Sequence, residues 1–244
     1  MSNVLIINGH QPYPFSKGEL NATLVDRARA WLEARGHTVQ VTSVAGDYEV
    51  ESEVRRHVWA DVVIMQFPVN WMGVPWSFKK YMDEVYTAGM DGRLCQGDGR
   101  REDAPKVGYG TGGALGDTHY MLSVTFNAPE EAFGNPEEPF FAGGSVDDLL
   151  RPQHLNARFF NMRPMPTFAA YDVMKNPQNH LLVKKETTGN SSFTASCASW
   201  RASAMSNCRR SAFATWSMRL LSAAWVLRHL SASMTTSLPP SFVT

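Results

Sequence analysis

Residues 62–68 of the chain have the sequence Val-Val-Ile-Met-Gln-Phe-Pro, and residues 69–76 continue as Val-Asn-Trp-Met-Gly-Val-Pro-Trp. The first stretch is a short, almost continuous apolar run, which is typical of a strand buried on both faces. Pro68 predicts the end of this strand, because proline cannot continue a central ladder. Pro75 stands where the first turn of a helix tolerates proline. The buried face of that helix is predicted to contain Trp76, Tyr81, Met82 and Val85.

The same strand-and-helix unit occurs twice before this stretch. Val4–Ile7 is a β-branched apolar run that ends at a turn, Asn8-Gly9, and Thr38–Val41 is a second short strand. Each is followed by a predicted helix, and Gly36 is predicted to end the first one. The apolar positions of the first helix are Leu20, Leu24, Val25, Ala28, Trp31 and Leu32, and those of the second are Val54, Val58 and Trp59.

Two further strands are predicted after it, at 120–125 and, more weakly, at 167–171, just after Pro164 and Pro166. Strands that alternate with helices indicate an α/β fold, so we expect a doubly wound, five-stranded parallel sheet with the order 2-1-3-4-5. The segments 91–116 and 130–144 are longer than ordinary connections, which predicts functional or mobile loops.

Composition excludes several classes of protein. The 244 residues are 43% hydrophobic, enough for a buried core, and 23 basic against 23 acidic residues give no excess that would favour nucleic-acid binding. Three cysteines cannot form a disulfide framework, and neither a secretion signal nor a membrane-spanning run is recognisable, so a cytoplasmic location is expected.

The charge is unevenly distributed, and this suggests a boundary. Residues 1–186 hold 18 basic and 23 acidic residues, whereas residues 187–244 hold 5 arginines, no acid and 13 serines. We therefore predict one domain at 1–186 and an atypical tail at 187–244. The tail is interpreted as a basic appendage for a membrane surface or partner, as a disordered segment or, preferably, as the product of a shifted reading frame. Translation of the gene in the other frames tests the last interpretation.

Three loops are expected to meet in the crevice at the carboxyl ends of strands 1, 3 and 4. The first, 9–21, ends with a hydroxyl, a cation, a glycine and an amide at the start of a helix, where a phosphate is the natural ligand; helix capping by Ser16 or Asn21 is the alternative. The second, 68–76, carries Trp71 and Trp76, which suit a flat ring; the alternative is that Trp76 belongs to the core and Trp71 packs on a neighbour. The third, 125–131, again combines hydroxyl, aromatic and amide groups. Together the loops indicate a planar heterocycle bearing phosphate.

Other sites are less well supported. Residues 108–113 formally match the dinucleotide fingerprint G-x-G-x-x-G, but no strand precedes them and no helix follows, so they are interpreted as a flexible flap. The histidines and Cys95 lack the spacing of metal ligands, and no nucleophile elbow is present. We expect no metal and no obligatory catalytic nucleophile.

Residues from Met1 to about Gln178 resemble the flavodoxin-like NAD(P)H:quinone oxidoreductases. The motifs that carry the resemblance are 2–9 (SNVLIING), 59–64 (WADVVI), 71–76 (WMGVPW) with Lys79-Lys80-Tyr81, and 127–133 (NAPEEAF). The resemblance implies a homodimer in which FAD accepts hydride from NAD(P)H and then passes two electrons to a quinone by a ping-pong mechanism.

The resemblance also implies which residues bind the FAD. The phosphates would lie at Ser16, Gly18, Leu20 and Asn21; the ring would lie beside Asn70, Trp71, Met72 and Gly73, under Tyr109 of the flap; and Thr125, Phe126, Asn127 and Ala128 would close the third side. Tyr109 or His10 would relay a proton. Residues after about Lys185 depart from the charged helix that ends the family's members.

Two other functions are compatible with the residues. One is a non-catalytic electron carrier that holds FMN, although such carriers are usually strongly acidic and have a short first loop. The other is a flavin-free nucleotide-binding or regulatory module. An absorption spectrum separates the last from the flavoproteins, and reduction by NADPH followed by reoxidation by a quinone separates the enzyme from the carrier.

Overall fold

The computed structural model of the chain describes residues 1–175, so the predictions for the tail lie outside the described residues. Its centre is a parallel sheet in which neighbouring strands follow the order β2-β1-β3-β4-β5, with β6 also paired to β4. The predicted α/β class and strand order are confirmed. The strands are β1 (Asn3–Asn8), β2 (Thr38–Ser43), β3 (Val62–Pro68), β4 (His119–Thr125), β5 (Arg163–Pro164) and β6 (Phe168–Ala170).

Helices connect these strands. They are α1 (Glu19–Glu33), α2 (Val50–Trp59), α3 (Trp76–Ala88), α4 (Val146–Leu149) and α5 (Arg151–Phe159), and a 3₁₀ turn spans Glu130–Ala132. Because β2 lies on one side of β1 and β3 on the other, right-handed crossovers place α1 and α2 on opposite faces of the sheet. β1 and β3 are buried over most of their length, as the apolar runs predict.

The last predicted strand, at 167–171, is observed as β6, and a separate two-residue strand, β5, precedes it. β5 pairs with the start of β4, where His119 faces Arg163, and β6 pairs with its end, where Ser123 faces Phe168. Pro164 ends β5 and Pro166 lies between the two strands, and both lack the N–H group that a continuous ladder needs. The prediction of a strand at 167–171 is thus confirmed by β6, whereas β5 was not predicted.

Two apolar side chains that were predicted to be buried are exposed. Trp76 is 61% exposed, whereas Phe78 is buried. The two residues are two positions apart, or about 200° around the helix, so they lie on opposite faces of α3. Val58 of α2 is also exposed, since the buried face of that helix carries Glu53 and His57 as well as Val54. α1 ends at Glu33, and Gly36 has a positive φ of 80° in the turn beyond its cap. Within residues 1–175, no helix is both long enough and apolar enough to cross a membrane.

Candidate functional site

The loops after β1, β3 and β4 are neighbours at the carboxyl edge of the sheet. Asn8 is in register with Gln66, and Pro68 is in register with Thr125. Main-chain hydrogen bonds tie the loops to adjacent strands: Gly9 donates to the carbonyl of Gln66 at 2.8 Å, and Val69 donates to the carbonyl of Thr125 at 2.9 Å. The structure therefore brings together the three loops that the sequence assigns to one crevice.

The second loop contains a tight turn with an unusual backbone. Asn70 and Gly73 exchange main-chain hydrogen bonds of 2.9 and 3.1 Å, and the two central residues have positive φ angles, 47° for Trp71 and 65° for Met72. Such turns usually carry Asn or Gly at these positions, because a β-carbon is disfavoured there. Within residues 1–175 the N–H groups of Trp71 and Met72 donate to no protein group. The turn therefore offers two oriented donors.

The side chains around this turn form an exposed apolar surface. Trp71 is 99% exposed, Met72 is partly exposed, and Trp76 stands at the start of α3 with its ring in solvent. A β-carbon added at Gly73 would meet nothing within 4 Å, so the space over the turn is open. A flat ring could lie there, with main-chain donors at its edge and an apolar side chain beside it.

The first loop leads into an uncapped helix. The residue before α1 is Gly18, with φ 88°, and no side chain caps the helix, so the interpretation of Ser16 or Asn21 as a cap is wrong. In the described part of the chain, the N–H groups of residues 18–21 have no acceptor. Free N–H groups and the positive end of the helix dipole, with Lys17 exposed beside them, suit a phosphate. Ser16 pairs through its main chain with Tyr13, and Leu20 is half-buried on α1.

His10 is packed inside this first loop. Its side chain is buried, and a β-carbon at Gly18 would collide with its ring. Burial lowers the pKa of His10 below its usual value, which favours the neutral imidazole. A neutral ring can accept a proton, as the predicted relay role requires.

The side chain of Asn21 faces the sheet instead of solvent. Its amide nitrogen donates to the side-chain oxygen of Asn8 at 2.7 Å and to the carbonyl of Gln66 at 3.2 Å, while its oxygen accepts from the Gln66 side chain at 2.9 Å. Asn21 thus offers a ligand only its main-chain N–H. Sequence analysis did not single out Gln66 or Ser123, although a glutamine within an apolar strand was a usable signal.

The third loop is supported from beneath by aromatic rings. Phe126 is buried, stacks on Tyr171 at 5.7 Å between ring centroids, and lies 5.2 Å from Phe133. Asn127 is exposed and Ala128 is half-buried, so these two residues face the crevice more openly than Phe126 or the buried Thr125 does. Burial raises the pKa of Tyr171 to about 12, so its hydroxyl stays protonated.

Tyr109 lies on the predicted flap. Its ring is 73% exposed, packs edge-on against Phe159 at 5.9 Å, and has the Arg100 guanidinium 5.7 Å from its centroid. The contacts of Tyr109 are thus with the flap itself and with α5.

The glycines of the G-x-G-x-x-G sequence have structural roles. Gly108 and Gly110 have positive φ angles, and a β-carbon at Gly113 would strike the backbone of Phe160 and Asn161. No strand leads into this segment and no helix begins at its end, which agrees with the prediction that it is not a dinucleotide fingerprint. Across residues 1–175 no group of three acidic, histidine or cysteine side chains could hold a metal ion.

Comparison with known proteins agrees with this architecture. A family model described as a flavodoxin-like fold matches residues 2–187. The chain is 45% identical over 176 residues to NADPH:quinone oxidoreductase MdaB of Haemophilus influenzae, covering 72% of this chain and 91% of that protein. It is also 45% identical over 183 residues to an uncharacterised protein of Schizosaccharomyces pombe, covering 74% and 91%.

A solved structure from Klebsiella pneumoniae, provisionally assigned as a quinone reductase, has a similar fold. Its TM-score is 0.56 and its identity 23%, and the match covers 86% of each chain. At this identity the likeness concerns the fold alone.

Proposed function

The chain belongs to the flavodoxin-like fold family, and from this premise we propose that it is an NAD(P)H:quinone oxidoreductase that uses FAD. The proposal is supported by the 45% identity to the Haemophilus relative, an NADPH:quinone oxidoreductase. The structural observation that carries it is the turn at 70–73, whose two free N–H groups stand at the same sheet edge as the uncapped start of α1. A flavin nucleotide needs both a ring platform and a phosphate site.

The residues present fit this cofactor. The N–H groups of residues 18–21 would bind its phosphates, and the turn formed by Trp71 and Met72 would hold its ring. Asn127 and Ala128 would close the third side, and Tyr109 of the flap would cover it. When bound, a flavin supplies hydride acceptance from a nicotinamide and two-electron transfer to a quinone.

The chain itself would supply position and electrostatics. The N–H groups of Trp71 and Met72 would stabilise negative charge at the ring edge, since they are already oriented and need no rearrangement. His10, neutral in its buried position, would accept a proton within the first loop, and the exposed hydroxyl of Tyr109 is the alternative. No side-chain nucleophile is required.

We also propose that two copies of the chain complete the site. Phe15 is 79% exposed and Trp71 is almost fully exposed, an unusual state for large apolar side chains at a crevice. A second copy packed over them would exclude water from the ring. A cytoplasmic location remains the expectation from the cysteine content.

Spectroscopy and steady-state kinetics test the proposed function. The purified chain should be yellow or should bind added FAD, and the absorbance should bleach with NADPH and return with a simple quinone. Parallel double-reciprocal lines would support the ping-pong order. A chain that binds no flavin would be a flavin-free module, whereas one that binds FMN and turns over no quinone would be an electron carrier. Either result rejects the enzyme.

A further inference from the structure

Four buried or half-buried polar side chains form a continuous network beneath the crevice. We call this the amide network, and it consists of Asn8, Asn21, Gln66 and Ser123. The Ser123 hydroxyl donates to the Gln66 side-chain oxygen at 2.6 Å, and the Gln66 nitrogen donates to Asn21 at 2.9 Å. Asn21 in turn donates to Asn8 at 2.7 Å. The network thus crosses β4, β3, α1 and β1.

Gln66 is the centre of this network. Its side chain is 3% exposed and contacts both Ser123 and Asn21, and its main-chain carbonyl accepts from Asn21 and from Gly9. A buried amide must find partners, since a buried polar group without a hydrogen bond destabilises the fold. The position of the first turn of α1 is therefore tied to the third strand by side-chain hydrogen bonds, in addition to packing.

The network connects the two parts of the proposed ligand site. Asn21 is the third residue of α1, whose free N–H groups face the phosphate position. Gln66 lies two residues before the end of β3, from which the loop bearing the turn at 70–73 departs. A displacement of the Gln66 side chain would thus change the distance between the phosphate site and the ring site.

We propose that Gln66 is a positioning residue that sets the spacing between these two sites, with Ser123 fixing the orientation of its amide. This inference rests on the proposed function. It assigns Gln66 no contact with the substrate: its effect passes through Asn21 and the first turn of α1. The amide and hydroxyl groups of the network carry no charge. A substitution in the network should therefore change cofactor affinity and leave the charge of the site unchanged.

The test is a fluorescence titration of FAD into folded apoprotein. Gln66→Met keeps the length of the side chain but removes its polar atoms, and we expect FAD to bind about tenfold more weakly. Ser123→Ala should also weaken FAD binding. Ser123→Thr should keep the wild-type affinity, because threonine retains the hydroxyl. In a double-mutant cycle, Gln66→Met combined with Asn21→Leu should lose little more affinity than either change alone.

Thr118→Val is the matched control. Thr118 is also buried, and its hydroxyl donates to the Ala60 carbonyl at 3.1 Å, but it lies at the opposite end of the sheet, just before β4. This variant should lose stability without losing FAD affinity. If Gln66→Met does not fold, the Ser123 pair decides the question.

The outcomes separate the two proposals. If the wild-type protein binds FAD and the Gln66 and Ser123 variants bind it equally well, the positioning role is overturned and the proposed function is not. Strictly additive losses in the cycle would also overturn it. Wild-type protein that binds no flavin would overturn the proposed function, and the positioning role with it.

Discussion

Two adjacent residues at the crevice have a backbone that their side chains disfavour. Trp71 and Met72 both lie in the left-handed region, where a residue other than glycine costs on the order of 1–2 kcal/mol. Asn-Gly would form the same turn at lower cost. Trp71 is almost fully exposed and Met72 is partly exposed, so packing in the core does not explain their presence. The proposed flavin, which would use the turn and its apolar surface, would explain it.

Met72→Gly should therefore have opposite effects on stability and binding. Relief of the positive φ should raise the free energy of unfolding by about 0.5–1 kcal/mol, after the greater freedom of glycine in the unfolded chain is subtracted. FAD affinity should fall, because the turn becomes less rigid and loses apolar surface. Urea unfolding and fluorescence titration measure the two quantities.

Ala142→Gly is the control for this prediction. Ala142 is also exposed with a positive φ, 48°, but it belongs to the long segment after β4. It should gain stability in the same way and leave FAD binding unchanged. Equal effects of both variants on FAD binding would remove Met72 from the site.

A buried carboxylate joins the three elements α2, β2 and α3. Glu53 of α2 is 1% exposed and accepts hydrogen bonds from Thr42 of β2 and Tyr81 of α3, each at 2.9 Å, and from Arg56 at 2.6 Å. Burial and the Glu53 charge raise the pKa of Tyr81, so its hydroxyl remains a donor. The contact between α2 and α3 thus depends on a charged acceptor as well as on apolar packing.

Glu53→Gln should destabilise the fold by about 1–3 kcal/mol, because the amide presents only one acceptor oxygen and leaves the Arg56 charge without its partner. Glu51→Gln on the same helix should have a smaller effect, since its ion pair with Arg93 is largely solvent-exposed. Chemical denaturation of both variants gives the comparison. A larger loss of unfolding free energy in Glu51→Gln than in Glu53→Gln would show that the hydrogen bonds of the buried Glu53 add little to stability.

The elements were predictable where a single periodicity determined them. β1 and β3 are apolar runs buried on both faces, and Pro68 ends β3 as expected. α2 was only partly predictable, because its buried face includes Glu53 and His57, whose burial depends on partners in other elements. The two-residue strand β5 was not predictable either, because it is defined by its pairing with β4, a tertiary property that the sequence of the segment does not contain.

On the scale of the whole molecule, the crevice was predictable in place but not in detail. Strand order determines which loops meet, and the order 2-1-3-4-5 is one of the two common orders that the alternation of strands and helices allows. The inward direction of the Asn21 side chain was not predictable, because it depends on hydrogen bonds to strand residues, including Gln66, that are distant in sequence. The positive φ angles of Trp71 and Met72 were not predictable, because these residue types disfavour that backbone region.

Stability of the whole chain should fall as the pH drops below about 6.5. Burial is the largest cause that lowers the pKa of four histidines below the ordinary histidine value of about 6.5: His10, His37, His57 and His119. The unfolded chain then binds more protons than the folded chain between the lowered values and 6.5. The contribution of these histidines to the free energy of unfolding is therefore fully present above pH 6.5. It is lost progressively as the pH falls from 6.5 to the lowered pKa values.

His57 should contribute most to this dependence. It is fully buried against Tyr81 and Tyr86, and its Nδ1 lies 2.9 Å from the Glu53 carbonyl. His57→Phe keeps a ring for packing and removes the titration, so its free energy of unfolding should fall less steeply between about pH 7 and pH 5 than that of the wild type. Urea denaturation across this range provides the measurement. Parallel slopes for the two proteins would mean that the acid sensitivity arises at other histidines.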